Sequence, residues 1–397
     1  MSTLYLHIGM PKTGTSYIQS FLHTNNEVLK QQGYVYPDFG VKFDKIGALR
    51  NGHFLISHIK DENGNRLKDK EKEIETECFD KLLNLFDVYP NVILSEESIW
   101  NSAERKRGKN FWKKLKSRLD SRGIELKTIV YLRRQDLFIQ SFWAQHIKKN
   151  LVTNSLREFL TLPRFKLIQL DYYKRLNKIC EDVGKENMLV RVYEKGQYIG
   201  QEKTIVSDFL ATVGLEYNDE YVQPPRLANI SLTGIYLETK RELNKIEGFV
   251  ERKGYVQDLL REVVELNGDV RSISCNEFMS GEDVASFLKK YDESNARVAR
   301  EYLSREDGKL FYDEQKVSDN TPEYTVSDYV GVLAQMIELQ NNNLIDTQEQ
   351  VKQLKNENKE LAAQNKKLQS TVDWVTTSFP KKVARKLRRI FGCKRYA

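Results

Sequence analysis

Six consecutive residues, Pro11-Lys12-Thr13-Gly14-Thr15-Ser16, place a cation, a glycine and three hydroxyls between a stretch of strand character and one of helical character. Residues 3–9 (Thr-Leu-Tyr-Leu-His-Ile-Gly) read as a buried strand, and Tyr17, Ile18, Phe21 and Leu22 follow at helical spacing. A loop so placed exposes backbone N–H groups that the first helical turn leaves without partners, and the helix dipole adds partial positive charge. Phosphate or sulfate is the ligand that suits it. Gly9 and Gly14 let the backbone come close, Lys12 supplies a point charge, and the hydroxyls of Thr13, Thr15 and Ser16 can donate to anionic oxygens. The G-x-x-x-x-G-K-[ST] nucleotide loop puts its lysine directly before the hydroxyl that reaches Mg²⁺. Lys12 instead stands two residues before Gly14, so that pattern is not met. An ordinary Pro/Gly turn is the plain alternative.

A second constellation lies at Arg133 and Ser141. The run Leu126–Leu132 reads as a strand that ends at Arg133-Arg134-Gln135-Asp136, and Ser141 stands two helical turns after Arg133. A strand-end arginine and a serine on the next helix can converge on a second phosphate beside the first loop. Two elements also offer a proton acceptor. Glu96 and Glu97 follow the candidate strand Asn91–Ser95, and His53, in Asn51-Gly52-His53, follows the candidate strand Tyr34–Pro37. Glu96 ranks first as general base and His53 second, with Glu97 and His58 behind them; a capping or ion-paired carboxylate and a satisfied loop histidine are the plain alternatives.

At these residues the chain resembles the sulfotransferases that use 3′-phosphoadenosine 5′-phosphosulfate (PAPS). His7-Ile8-Gly9-Met10-Pro11-Lys12-Thr13-Gly14-Thr15-Ser16 is similar to that family's 5′-phosphosulfate loop, and Tyr131–Trp143 to its 3′-phosphate motif, with the same Arg-to-Ser spacing. Leu132-Arg133-Arg134-Gln135-Asp136, the segment Arg226-Leu-Ala-Asn229-Ile-Ser231-Leu232 and Leu310-Phe311 look most like the bacterial carbohydrate-acting members. The resemblance spans roughly residues 3–315. It implies PAPS as donor, adenosine 3′,5′-bisphosphate as product, no metal, and a carbohydrate acceptor such as a surface or capsular glycan. Pro11–Ser16, Arg133 and Ser141 would then bind the donor, and Lys12 would stabilise the departing oxygen. The rivals are a kinase-like nucleotide enzyme, for which no Walker-B aspartate follows Asn91–Ser95, and a coiled-coil scaffold with an inactive α/β domain.

These residues need a frame that brings distant strand ends together. Short apolar runs recur at Tyr34–Pro37, Asn91–Ser95, Leu126–Leu132 and Met188–Tyr193, with helical periodicity over 71–87, 109–121 and 136–149 between them. The alternation predicts an α/β fold: a P-loop-like, mainly parallel sheet flanked by helices. From about 230 to 303 the pattern turns helical, so the domain expected is 1–325 with a helical extension from about 230. Over 326–376 a heptad seam runs through Val330, Ile337, Leu344, Val351, Asn358, Asn365 and Val372, with Leu333, Gln340, Thr347, Leu354, Leu361, Leu368 and Val375 at companion positions. That predicts a coiled coil and a homo-oligomer, against a lone solvated helix.

Length and charge bound the remaining classes. The chain has 397 residues, 40% of them hydrophobic, enough for a large core. Its net charge of +7 is concentrated in the tail, residues 377–397, where Lys381, Lys382, Arg385, Lys386, Arg388, Arg389, Lys394 and Arg395 fall. The body is thus close to neutral, which argues against nucleic acid as a partner. The tail carries Val383, Leu387, Ile390 and Phe391 at helical spacing, a pattern suited to peripheral contact with an anionic membrane or to a solvated terminus. No signal-peptide pattern opens the sequence, and Cys78, Cys180, Cys275 and Cys393 form no metal or disulfide framework. A cytoplasmic protein, at the inner membrane surface if the tail binds there, is the expectation.

Overall fold

A computed structural model describes residues 2–44, 46–163, 165, 168–224, 232–268, 278–314 and 323–391. The Arg226–Ser231 stretch and the basic residues beyond Phe391 lie outside them. The chain divides into two compact units, Met1–Thr325 and Val326–Ala397.

The first unit is built on five parallel strands in the order β2-β3-β1-β4-β5: β1 Ser2–His7, β2 Tyr34–Val35, β3 Asn91–Ser95, β4 Ile124–Leu132 and β5 Met188–Val192. Parallel strands covered on both faces read as apolar runs rather than alternations, which is why the runs marked them. The helices Thr15–Thr24, Lys68–Leu85, Phe111–Asp120 and Gln135–Asn150 fill the spans of helical periodicity. Ile18, Phe21 and Leu22 of the first pack with Ile93, Ile129 and Tyr131 of the sheet and with Val206, Phe209 and Leu210 of the helix Ile205–Thr212. Each such buried side chain contributes about 1.5–3 kcal/mol, so the apolar face of Thr15–Thr24 fixes the loop before it.

Two features aim the chain at one place. β1 pairs with β3 only as far as His7–Ser95, whereas β4 runs on to Leu132. Ile8, Gly9 and Met10 therefore continue along β4: Ile8 N–H donates to the Ile129 carbonyl at 2.9 Å, Tyr131 N–H to Gly9 at 2.9 Å, and Met10 N–H to Tyr131 at 3.2 Å. The loop is thus laid alongside the end of β4. In addition, β1 leads to β2 on one side of the sheet and β4 leads to β5 on the other. That reversal opens the crevice beyond the strand ends where ligands of open α/β sheets bind.

From Gly234 onward the elements of this unit among the described residues are helices: Gly234–Leu243, Glu247–Glu251, Lys253–Leu266, Gly281–Lys289 and Asp292–Leu303. The second unit is a single helix, Val326–Asp373, followed by a π-helical turn at Trp374–Ser378 and the helix Phe379–Phe391. Pro380 has no N–H to donate back into this turn, so the regular hydrogen-bond ladder is interrupted there. Among the described residues, no helix is long and apolar enough to cross a membrane.

Candidate functional site

The loop between β1 and the helix Thr15–Thr24 makes its turn with Lys12 and Gly14 in the left-handed region, at φ 67° and 74°. Gly14 is the residue before the helix; no side chain caps its N-terminus and no acidic residue lies in its first turn. A side-chain cap is worth about 0.5–2 kcal/mol, so this helix forgoes a common stabiliser and keeps its first-turn N–H groups facing the loop. Gly9 is held against Glu97: a Cβ at Gly9 would lie 2.9 Å from the Glu97 carbonyl oxygen. The hydroxyls of Thr13 and Thr15 both donate to the Met10 carbonyl, at 2.6 and 3.4 Å. A hydroxyl has one proton to give, so Thr13 braces the loop with its own, and an anion there would meet its backbone N–H group instead. Ser16 is exposed.

Arg133 leaves the end of β4 and turns back over this loop. Its Nη1 donates to the Lys12 carbonyl at 2.8 Å, its guanidinium lies 5.6 Å from the Tyr193 ring centre, and its own carbonyl accepts from the Tyr172 hydroxyl at 2.5 Å. The two stretches singled out in the sequence as anion sites thus touch. Ser141 is buried on the helix Gln135–Asn150, which starts two residues after Arg133. Tyr193, at the end of β5, also reaches the loop, with its ring edge 3.3 Å from where a Gly14 side chain would begin.

Beyond β3 the carboxylate of Glu96 is wholly buried and fully engaged. His53 Nδ1 donates to its Oε2 at 2.8 Å, Arg50 Nε to the same oxygen at 3.1 Å, and Arg50 Nη2 and the Ser98 N–H to Oε1, the latter at 2.8 Å. Burial pushes its pKa up, but the His53 hydrogen bond and the Arg50 charge outweigh it and hold the group at about 2. A carboxylate in that state only accepts, so Nδ1 of His53 is the donor, and Nε2 is the ring nitrogen that Glu96 does not engage. The Asn51-Gly52-His53 turn is docked here by Asn51, whose amide donates to the Ile93 carbonyl at 3.1 Å and whose oxygen accepts from Ser95 N–H at 2.8 Å. Glu97 differs from its neighbour: burial raises its pKa above the usual carboxylate range, with Arg50, Lys12 and Thr15 pulling the other way. Its Oε1 lies 3.6 Å from Arg50 Nη1. His58 stands apart, exposed, with Nε2 3.3 Å from the Lys106 carbonyl. His7, quoted with the loop, is a core side chain on Ser95 Oγ at 2.9 Å, and burial lowers its pKa to about 3.

Three contributors were not picked out from the sequence: Arg50, Tyr193 and Lys148. Lys12 and Lys148 are both pulled below the usual lysine range, first by burial and then by nearby cations. For Lys148 those cations are Lys12, Arg261 and Lys149, and its value falls to about 8. The only sequence signal was the Lys148-Lys149 pair on the helix that carries Ser141.

No family model matches the chain, and no solved structure matches it. An uncharacterized protein of Archaeoglobus fulgidus is 26% identical over 180 residues, 45% of this chain and 46% of that protein. The chain therefore spans about half the length of the curated relative it matches.

Proposed function

We propose that the Met1–Thr325 unit is a sulfotransferase that moves a sulfuryl group from PAPS to a hydroxyl or amine of a carbohydrate acceptor. The observation that carries this is the contact between Arg133 and the Lys12 carbonyl, which sets a strand-end arginine beside an uncapped helix N-terminus at the sheet's switch point. In this reading the 5′-phosphosulfate lies on the loop, held by its backbone N–H groups and Lys12, and Arg133 with Ser141 meets the 3′-phosphate. Transfer breaks the bond between sulfur and the bridging phosphate oxygen, and the bonding electrons leave with adenosine 3′,5′-bisphosphate, where the Lys12 ammonium stabilises them. The acceptor oxygen or nitrogen forms the new bond to sulfur and gives up its proton.

His53 Nε2 takes that proton, and Glu96, first choice from sequence, acts through His53. A useful base has a pKa near the working pH, and a carboxylate at about 2 lies some five units below neutrality. With both oxygens already occupied, Glu96 orients the imidazole and stabilises it once protonated, as carboxylates do for histidine bases. Transfer from labelled PAPS to a panel of glycans, lipids and peptides tests the activity; sulfation of none of them by protein that binds the bisphosphate would contradict it.

In the second unit, Val330, Ile337, Leu344, Val351, Leu354, Leu361 and Leu368 are each more than two-fifths exposed along one 48-residue helix. A single copy leaves that seam in water, so pairing with a second copy as a parallel coiled coil is the arrangement that covers it. Asn358 and Asn365 at seam positions favour a fixed register and low order. The basic helix Phe379–Phe391 suits an anionic membrane surface, which would set the enzyme at the inner face of the membrane where surface glycans are made.

A further inference from the structure

The last residues of the heptad seam, Val372 and Val375, stand at the π-helical turn Trp374–Ser378, and both are exposed. Counted onward in sevens without interruption, the seam would next pass through Phe379, Lys382, Lys386 and Arg389. Cations at such places, each opposite its own copy in a parallel pair, would cost more than they return. The turn changes the count. A π-helical turn closes its hydrogen bonds between residues five apart rather than four, so it takes up one residue more than the α-helix on either side. Every residue after it is set back one place relative to the seam, as inserted residues do in other heptad arrays. With that shift the positions in line with Val372 and Val375 become Pro380, Val383, Leu387 and Ile390. Three of the apolar residues of the helix Phe379–Phe391 thereby fall in line with the seam, and Lys381, Lys382, Arg385, Lys386, Arg388 and Arg389 all fall off it. Val383 is exposed, as a seam residue without its partner would be.

We propose that the helix Phe379–Phe391 continues the seam of Val326–Asp373, its apolar stripe set against that of a second copy of this chain, so that contact with an anionic lipid surface is left to its cations. This rests on the pairing of the long helix proposed above and is independent of the sulfotransferase reading. The register carries it. A helix that laid its apolar stripe in a membrane would have no need to keep that stripe in line with a seam that ends before it, whereas the extra residue of the turn falls where it restores the line. Pairing also gathers the cations of both chains at one end of the coil, and attraction to acidic lipid grows with each lysine or arginine held near the surface.

The test is disulfide cross-linking of full-length protein under mild oxidation, with Cys180, Cys275 and Cys393 changed to serine and one new cysteine at a time. Val383→Cys should cross-link at least about tenfold faster than Lys382→Cys, because facing seam residues come within the span of a disulfide and a neighbour turned by about 100° does not. Leu354→Cys, in the middle of the long helix, sets the rate of a paired position, and Val383→Cys should come within about threefold of it. Faster cross-linking of Lys382→Cys than of Val383→Cys, or slow cross-linking of both beside a fast Leu354→Cys, would overturn the continuation. A slow Leu354→Cys would instead remove the coiled coil, and the continuation with it. The oxidised Val383→Cys dimer should also sediment with mixed phosphatidylserine and phosphatidylcholine vesicles as fully as the reduced protein. Binding by the reduced form that the disulfide abolishes would put the apolar stripe in the lipid and overturn contact by charge alone.

Discussion

Arg133 Nη1 donates to the carbonyl oxygen of Lys12 at 2.8 Å, so the end of β4 and the loop after β1 are one structure although 121 residues separate them. The contact uses one of five guanidinium N–H donors and sets the plane of the rest. Lys12→Ala and Arg133→Ala should each weaken adenosine 3′,5′-bisphosphate binding by roughly 1.5–3 kcal/mol, the scale of hydrogen bonds to charged groups. Arg133→Lys should recover little, because an ammonium cannot hold the Lys12 carbonyl and a phosphate in one plane. Equilibrium dialysis with labelled bisphosphate checks both.

The roles of Glu96 and His53 separate by rate. His53→Ala should lower kcat by about 10²–10⁴, the usual worth of a positioned base, with bisphosphate affinity kept. Glu96→Gln retains the shape but not the charge that orients the imidazole, so kcat should fall as well and by less. Near-normal turnover in His53→Ala, with collapse in Glu97→Gln, would move the proton to Glu97.

Glu96 also ties stability to pH. Its folded pKa, about 2, lies below the ordinary carboxylate value of 4.5, so the ionised group stabilises the fold above pH 4.5. That contribution is lost as pH falls from about 4.5 through about 2. Urea midpoints of the wild type should therefore drop across this window, and Glu96→Gln should show a lower plateau with a shallower acid decline. Parallel acid limbs in the two proteins would contradict the buried ion pair.

How much of this was legible in the sequence depended on how local the cause was. The five strands were visible because buried parallel strands are apolar along their length, and β2 was overlong in prospect because Tyr36 and Pro37 lie past its two paired residues. Lys12 and Arg133 were visible from residue type and spacing. The part played by Glu96 was not, since it depends on Arg50 and His53, which arrive from a loop more than forty residues away. Nor could spacing show that the Thr13 hydroxyl turns inward to Met10.

The exposed seam gives a prediction of its own. Full-length protein should sediment as a dimer at micromolar concentration, and chain ending at Thr325, the boundary of the first unit, should sediment as a monomer that still binds the bisphosphate. A monomeric full-length protein would remove the coiled coil.

The central claim is an anion site built by this chain for a 3′,5′-bisphosphorylated adenosine. Calorimetry of full-length protein with adenosine 3′,5′-bisphosphate in EDTA should give saturable one-to-one binding, undiminished by the lack of divalent metal and tighter than that of ATP with Mg²⁺. Tighter binding of ATP with Mg²⁺, or bisphosphate binding that vanishes in EDTA, would contradict it.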